Sequence, residues 1–324
     1  MLFFSPFGCS DASAGCPERS EESAMKKPRS LLYSQKAAPY FFIAPFLIVF
    51  LVFFLYPIIS TVIMSFQEVR MGKGQTQFIG LENYQKLWNA DFFTAVKNSV
   101  IYTVITCAVL IPVPMVLAVF LNSRRMPARN FFRGVFFLPA LISVVVGGLI
   151  FRLIFGERPG ALINSVLSLF HIAPVKWLGG PVPWTTFFAL LILCCWRWMG
   201  VNIMYYVSAL QSISQELFES ADIDGANSWQ KFWYITMPLL KPTTIYVLTI
   251  SIYGGMAMFL ESYMLFGGNR SPGGQGLTIV GYLYRLGLEQ AQMGLGSAVG
   301  LVLLAITLAI NLTQLTLTGF FKKE

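Results

Sequence analysis

Three ionisable side chains interrupt long apolar runs: Arg152, Arg197 and Glu261. Charge is costly in hydrocarbon, so such residues mark a pathway, an ion or proton relay, or a pair between helices. Arg152 lies three residues from the end of its run, about 5 Å at helical rise, and Glu261 lies five residues from the end of its own, about 8 Å. These matched depths predict an Arg152–Glu261 pair. Arg197 falls in the stretch CCWRWMGVNIMYY, Cys194 to Tyr206. A ligand that presents hydroxyls above apolar C–H faces needs planar rings with amides or charges around it. Trp196, Trp198, Asn202 and Tyr205 supply those types. Trp196 and Gly200 are one helical turn apart, so both are expected on one cavity, with Gly200 leaving room. Arg197 suits a ligand that carries a carboxylate, because guanidinium pairs well with carboxylate. Glu261 opposes that reading unless Arg152 neutralises it.

Other chemistry is sparse. His171 is the single histidine and sits in a loop with no clustered metal ligands. Cys107, Cys194 and Cys195 fall in apolar runs and Cys9 and Cys16 in a polar head, so no disulfide framework is expected. The phosphate-binding pattern G-x-x-x-x-G-K-[ST] is absent, and Gly72-Lys73-Gly74 lacks both its spacing and its hydroxyl. The expectation is a chain that is not an enzyme and binds no metal or cofactor itself.

Long apolar elements must position these residues. Of the 324 residues, 56% are hydrophobic and 12% charged, and the mean hydropathy is +0.64. A soluble domain of this length carries about twice that charge. Continuous apolar runs that do not alternate predict an all-α, polytopic membrane protein rather than a barrel. Six spans are expected, at about 38–66, 96–122, 131–155, 184–210, 242–266 and 295–320. Prolines 45, 57, 112, 114 and 139 punctuate them, as in transporter helices with interruptions. Residues 1–37 read as a cytoplasmic tail whose first 24 residues are disordered or precede the true start at Met25. Residues 321–324 read as a short cytoplasmic tail.

Lys and Arg concentrate on one side. The short loop NSRRMPARNFFR, Asn122 to Arg133, is the strongest marker, and it predicts both termini in the cytoplasm of an inner membrane. The net charge of +8 then follows largely from topology, without nucleic acid.

The same rule places loop 211–241 in the cytoplasm. Ser212 and Gln215 have capping-box spacing before a short helix at about 215–222. Leu217, Phe218 and Ala221 share a face of it, between Glu216, Glu219 and Asp222. Gly225 can take the positive φ that ends it. A second helix at about 226–237 brings Trp229, Phe232 and Trp233. The result is an elbow with a small apolar face and an acidic rim, suited to a groove on a partner. A helix resting on lipid would carry a basic rim instead.

At these residues the sequence resembles a family. Glu219-Ser220-Ala221, then Asp224-Gly225-Ala226, then Ile235 and Pro238, is similar to the EAA loop of permease subunits in binding-protein-dependent ABC importers. Ser220 replaces the middle alanine of the pattern and Met237 a leucine. FIGLENYQKLW (Phe78 to Trp88), FFRGVFFLPALIS (Phe131 to Ser143) and GLTIVGYLYRLGLEQAQMG (Gly276 to Gly294) resemble the maltose-type large sugar permeases. Within those, the likeness is nearest to permeases for alginate oligosaccharides and for arabinose-type oligosaccharides. The resemblance implies a type I importer permease fold in which the elbow is a coupling helix seated in an ATPase. It implies a heterodimer with a homologous second permease, two cytoplasmic ATPase subunits that bind ATP and Mg, and a periplasmic solute-binding protein. It also implies that positions Trp196, Gly200 and the segment around Glu261 line the sugar site. Alginate oligosaccharide is the expected substrate, with a neutral arabinose-type oligosaccharide as the alternative. A carrier driven by an ion gradient is the rival class. The segment GGNRSPGGQG, Gly267 to Gly276, is expected to be flexible and to reach toward the pore or a docked protein.

Overall fold

The computed structural model describes residues 38–70, 76–123, 126–158, 160–180, 183–269 and 271–319. The expected tails, 1–37 and 321–324, lie outside these. The chain divides into two compact units, Met1–Pro57 and Ile58–Glu324.

The first unit contains α1 (Ala38–Phe50) and a π-helical turn, Leu51–Leu55, ahead of α2 (Tyr56–Ser65). Pro57 has no amide hydrogen to give. The residue before it, Tyr56, donates five residues back to Leu51. The same device recurs before Pro238, where a π turn spans Phe232–Thr236 and Met237 donates to Phe232. The side chains of α1 are apolar and exposed, as suits a helix whose solvent is lipid.

In the second unit, β1 (Gln67–Val69) pairs antiparallel with β2 (Thr76–Phe78), Gln67 opposite Phe78. The short α3 (Glu82–Lys86) follows. Its buried Asn83 donates to the carbonyls of Ser65 (2.8 Å) and Gln67 (3.0 Å), fixing the hairpin to the end of α2. Next come α4 (Ala90–Leu110), capped by the Asn89 side chain, and α5 (Pro112–Asn122). The sequence continues through α6 (Arg129–Leu141), α7 (Val144–Ile154), α8 (Leu162–Leu169) and the long α9 (Pro183–Gln211). The elbow comprises α10 (Gln215–Ile223), α11 (Ser228–Lys231) and α12 (Met237–Leu239). Finally α13 (Lys241–Met256), α14 (Leu260–Phe266), α15 (Ile279–Tyr284) and α16 (Met293–Leu317) complete the fold.

Among the described residues, four helical runs are long and apolar enough to cross a membrane: Pro39–Ser65, Ala90–Asn122, Trp184–Gln211 and Met293–Leu317. Two apolar helix pairs are sharply bent, and counting each as one span gives six. Arg129–Leu141 turns by 97° into Val144–Ile154, and Ser228–Leu239 turns by 66° into Lys241–Met256. The expected runs 131–155 and 242–266 are each interrupted, the first close to the proline that marked it. In the first, Ile142 and Ser143 are extended just after Pro139. In the second, α13 stops at Ala257 and restarts after Phe259, whose φ of −142° is not helical.

Three buried clusters hold the second unit together. Phe92, Met256, Ile279, Tyr282 and Val299 join α4, α13, α15 and α16. Tyr102, Phe151, Leu190, Leu193 and Leu265 join α4, α7, α9 and α14. Met115, Leu121, Ile203, Tyr206 and Val247 join α5, α9 and α13. The long α9 contributes to two of the three.

Candidate functional site

A cavity of about 430 Å³ lies between α4, α9 and the broken α13–α14 pair. Helix α4 presents Tyr102, Thr106 and Leu110, four residues apart and therefore on one face. Helix α9 presents Cys194, Trp198, Val201, Asn202 and Tyr205, again one stripe. Glu261 opens α14 at the cavity wall and is only 9% exposed. Among the described residues its carboxylate has no ion pair or hydrogen bond to protein. Gly254 and Gly255 behave differently here. A β-carbon on Gly255 would press on Thr103 of α4, whereas one on Gly254 meets nothing within 4 Å.

Of the residues expected to meet sugar, Trp198, Asn202, Tyr205 and Glu261 line this cavity. Trp196, Gly200, Arg197 and Arg152 do not. Two residues along a helix is about 200° of rotation, so Trp196 and Trp198 point to opposite sides of α9. Trp196 packs on α7, its ring 5.2 Å from that of Phe151 and against Gly147. Gly200 leaves no room: a β-carbon there would overlap the Phe136 carbonyl of α6. The Trp196–Gly200 face is a close helix crossing, the usual use of small residues in membrane bundles. Arg197 sits 5.7 Å from the Trp198 ring and lines an adjoining groove with Phe137, Ala140 and Leu141 of α6. Its Nη1 is buried without a partner.

The expected Arg152–Glu261 pair is absent. Arg152 is exposed, and its guanidinium lies against Gly267, the left-handed glycine that ends α14. Matched depth on two helices does not fix direction around each helix, and α7 turns Arg152 toward the end of α14 rather than its start. Sequence reading missed Tyr102, Thr106, Ser251 and Gly254 as cavity residues. The i, i+4, i+8 series from Tyr102 was the available signal on α4.

The elbow forms at the expected place with a different cap. Ser214, not Ser212, accepts the Glu216 amide and starts α10. Ser212 instead donates to the Ala209 carbonyl, closing α9. Glu219, Ser220 and Ala221 lie on α10. Gly225 has φ +76°. Around it, Ala226 donates to the Ala221 carbonyl (2.9 Å) and Gly225 to that of Asp222 (3.1 Å), the paired bonds of a Schellman ending. Asn227 and Gln230 then form a reciprocal capping box that starts α11. Lys231 bridges back to Asp222, fastening the two arms. Asp224 is the residue before the turn, and Ile235 falls within the π turn ahead of Pro238. Phe218 faces inward, lining a recess with Val119, Leu210 and Thr236. Leu217, Trp229, Trp233 and Tyr234 are exposed, and Ile223 is 87% exposed. The elbow thus presents apolar surface that the described residues do not cover.

The glycine-rich segment is a pinned turn, not the free loop expected. Asn98 of α4 donates to the carbonyls of Gly274 (2.8 Å) and Leu277 (3.0 Å). Ser262 of α14 donates to Gly276, and the Gly276 amide donates to Ser271 Oγ. Gly273 and Gly274 both have positive φ, which is why glycine is needed there.

Residues 110–323 match the family described as binding-protein-dependent transport system inner membrane component. The chain is 53% identical over 296 residues to the arabinooligosaccharides transport system permease protein AraP of Bacillus subtilis (strain 168), covering 91% of this chain and 93% of that protein. It is 47% identical over 290 residues to AraP of Halalkalibacterium halodurans, covering 90% of each. Its fold matches a chain in the crystal structure of a bacterial alginate ABC transporter in complex with an alginate pentasaccharide-bound periplasmic protein. That match has a TM-score of 0.76 at 25% identity, over 88% of this chain and 95% of the other. A helical membrane fold, an exposed elbow and these matches together lead to one assignment: the chain belongs to the binding-protein-dependent inner membrane transport family, and is a permease subunit of an ABC importer rather than an enzyme.

Proposed function

We propose that this permease carries neutral oligosaccharides of the arabinose type from a periplasmic binding protein into the cytoplasm. The observation that carries the reading is Glu261, a buried carboxylate at the cavity wall with no ion pair among the described residues. An acidic sugar would meet it at close range; a neutral one can donate hydroxyls to it. Its expected neutraliser, Arg152, lies against Gly267 instead. The relatives named for arabinooligosaccharides are also far more similar than the alginate transporter, 53% against 25% identical. Both considerations move the substrate from alginate toward its neutral alternative.

Trp198 and Tyr205 supply ring surface to the sugar, and Asn202 and Glu261 polar contacts. The elbow, with Glu219, Ser220, Ala221, Asp224, Gly225, Ala226, Ile235 and Pro238, is the seat of one of two cytoplasmic ATPase subunits. ATP and Mg bind there, not on this chain. A homologous second permease completes the pore, and both termini of this chain face the cytoplasm. ATP-driven closure of the ATPases pushes the elbows inward and opens the cavity outward; hydrolysis resets it.

The test is ATP hydrolysis by the reconstituted complex with binding protein and either sugar. Stimulation by arabino-oligosaccharide and not by alginate oligosaccharide is expected. Stimulation by alginate alone would overturn the neutral-sugar reading. Uptake that follows an ion gradient without ATP would overturn the importer mechanism and make Glu261 an ion-coupling carboxylate.

A further inference from the structure

A second cleft, of about 480 Å³, opens beside the first turn of α4 and shares no lining residue with the cavity above. Its walls include Asp91, Thr94, Ser271, Arg285, Glu289 and Gln290, and Leu277 contributes an apolar patch. The polar groups are held, not loose. Arg285 donates Nη1 to Asp91 at 3.1 Å and Nη2 to the Asn269 carbonyl at 2.9 Å. Asn269 in turn donates to Glu289 at 3.1 Å. The Gly273–Gly274 turn that forms another wall is the one pinned to α4 by Asn98. A volume near 480 Å³ lies within the range of small-molecule clefts, about 300–1,000 Å³.

We infer that this cleft is a carbohydrate subsite on the proposed outer face, which takes a neutral sugar unit before it enters the cavity between α4, α9 and α14. The inference rests on the neutral-oligosaccharide reading and on the expected topology, which with both termini in the cytoplasm puts the segment between the fifth and sixth spans on the outer side. Two carboxylates and one guanidinium stand here with two hydroxyls and an amide. Sugar hydroxyls both donate and accept, so adjacent hydroxyls can bridge a carboxylate and the guanidinium that already contacts it. Among the described residues, the three charged groups of the cleft carry a net charge of −1, which disfavours a uronate. A basic side chain from a docked protein would need acceptors alone; the guanidinium in the wall argues for a ligand that uses both polarities. The cleft thus repeats, with different residues, the preference for neutral sugar that Glu261 imposes inside.

Saturation-transfer NMR on the detergent-purified transporter complex, without binding protein, tests this with arabinotriose and with a triuronate. Arabinotriose signal is expected. Asp91→Asn with Glu289→Gln should weaken that binding by about tenfold, equivalent to about 1.4 kcal/mol. Glu261→Gln should leave a component of the same affinity. Glu289→Gln alone, at an exposed position, guards against misfolding of the double variant. Signal that survives the outer variants but vanishes with Glu261→Gln would place all sugar in the inner cavity and overturn the inference. So would absence of wild-type signal, or a triuronate signal equal to that of arabinotriose. Loss of binding-protein docking with sugar signal retained would make the cleft a protein contact, again overturning it. None of these outcomes depends on ATP stimulation, so the subsite can fail while the importer reading stands.

Discussion

The Asn202 side-chain amide donates to the Leu110 carbonyl across 2.8 Å of buried space. The reason lies four residues beyond Leu110. Pro114 has no amide hydrogen, so the carbonyl it would have bonded is free at the junction of α4 and α5. A free carbonyl in a membrane interior is costly, and a neighbouring helix must satisfy it. Asn202 on α9 does so, and the same residue lines the cavity. One end of its amide is thus committed to the helix break.

Asn202→Asp removes that donor and sets a carboxylate against a carbonyl. Loss of a buried hydrogen bond that leaves one group unsatisfied costs about 1–3 kcal/mol. Thermal unfolding of the purified complex should shift downward for Asp, whether or not sugar is present. An unchanged midpoint would contradict the cap.

Two glycines should separate packing from transport. Gly200→Ala forces α9 away from α6 at the Phe136 carbonyl, and the permease should assemble poorly. Gly254→Ala adds a methyl where nothing lies within 4 Å. That protein should assemble normally, with altered sugar dependence of transport. Membrane yield and oligosaccharide uptake of the two variants are the measurements; equal yields would contradict the close crossing.

Gly225→Ala places a β-carbon at φ +76°, which costs about 1–2 kcal/mol in the left-handed region. The two arms of the elbow would then lose their fixed angle. Sugar-stimulated ATP hydrolysis should fall by about tenfold, within the usual range of a coupling free energy. Binding of loaded binding protein should persist. Full stimulation in the variant would show that the elbow angle does not carry the coupling.

Local chemistry made the elbow legible. Gly225, the aromatic trio and the polar rim are adjacent in the chain, but the cap moved from Ser212 to Ser214, Phe218 turned inward, and a π turn interrupts the second helix. Spans were legible as apolar runs and Pro139 marked the interruption near Ile142–Ser143, but the break at Ala257–Phe259 was not legible, because tertiary packing decides where a helix may stop. The cavity was half legible. Trp198, Asn202 and Tyr205 are one stripe of α9, yet nothing in the sequence states which stripe faces this cavity, and Trp196 and Gly200 fall outside it. The Arg152–Glu261 pair failed for the same reason, since depth fixes height along a helix but not rotation about it.

Charge selection at the cavity is open to a single substitution. A uronate about 4 Å from Glu261 meets about 4 kcal/mol of repulsion at an effective dielectric near 20. Glu261→Gln should therefore raise uptake of acidic oligosaccharides relative to the native protein, while neutral sugar uptake continues. Unchanged rejection of uronates in the variant would place the charge filter elsewhere.

Uptake of labelled arabinotriose into proteoliposomes tests the central claim most directly. The vesicles would contain this permease, its partner permease and the ATPases, with loaded binding protein outside and ATP inside. Accumulation that requires ATP and binding protein, persists without any ion gradient, and is not reproduced by labelled triuronate is the expected result. Accumulation of triuronate but not arabinotriose, or accumulation driven by an ion gradient in the absence of ATP, would contradict it.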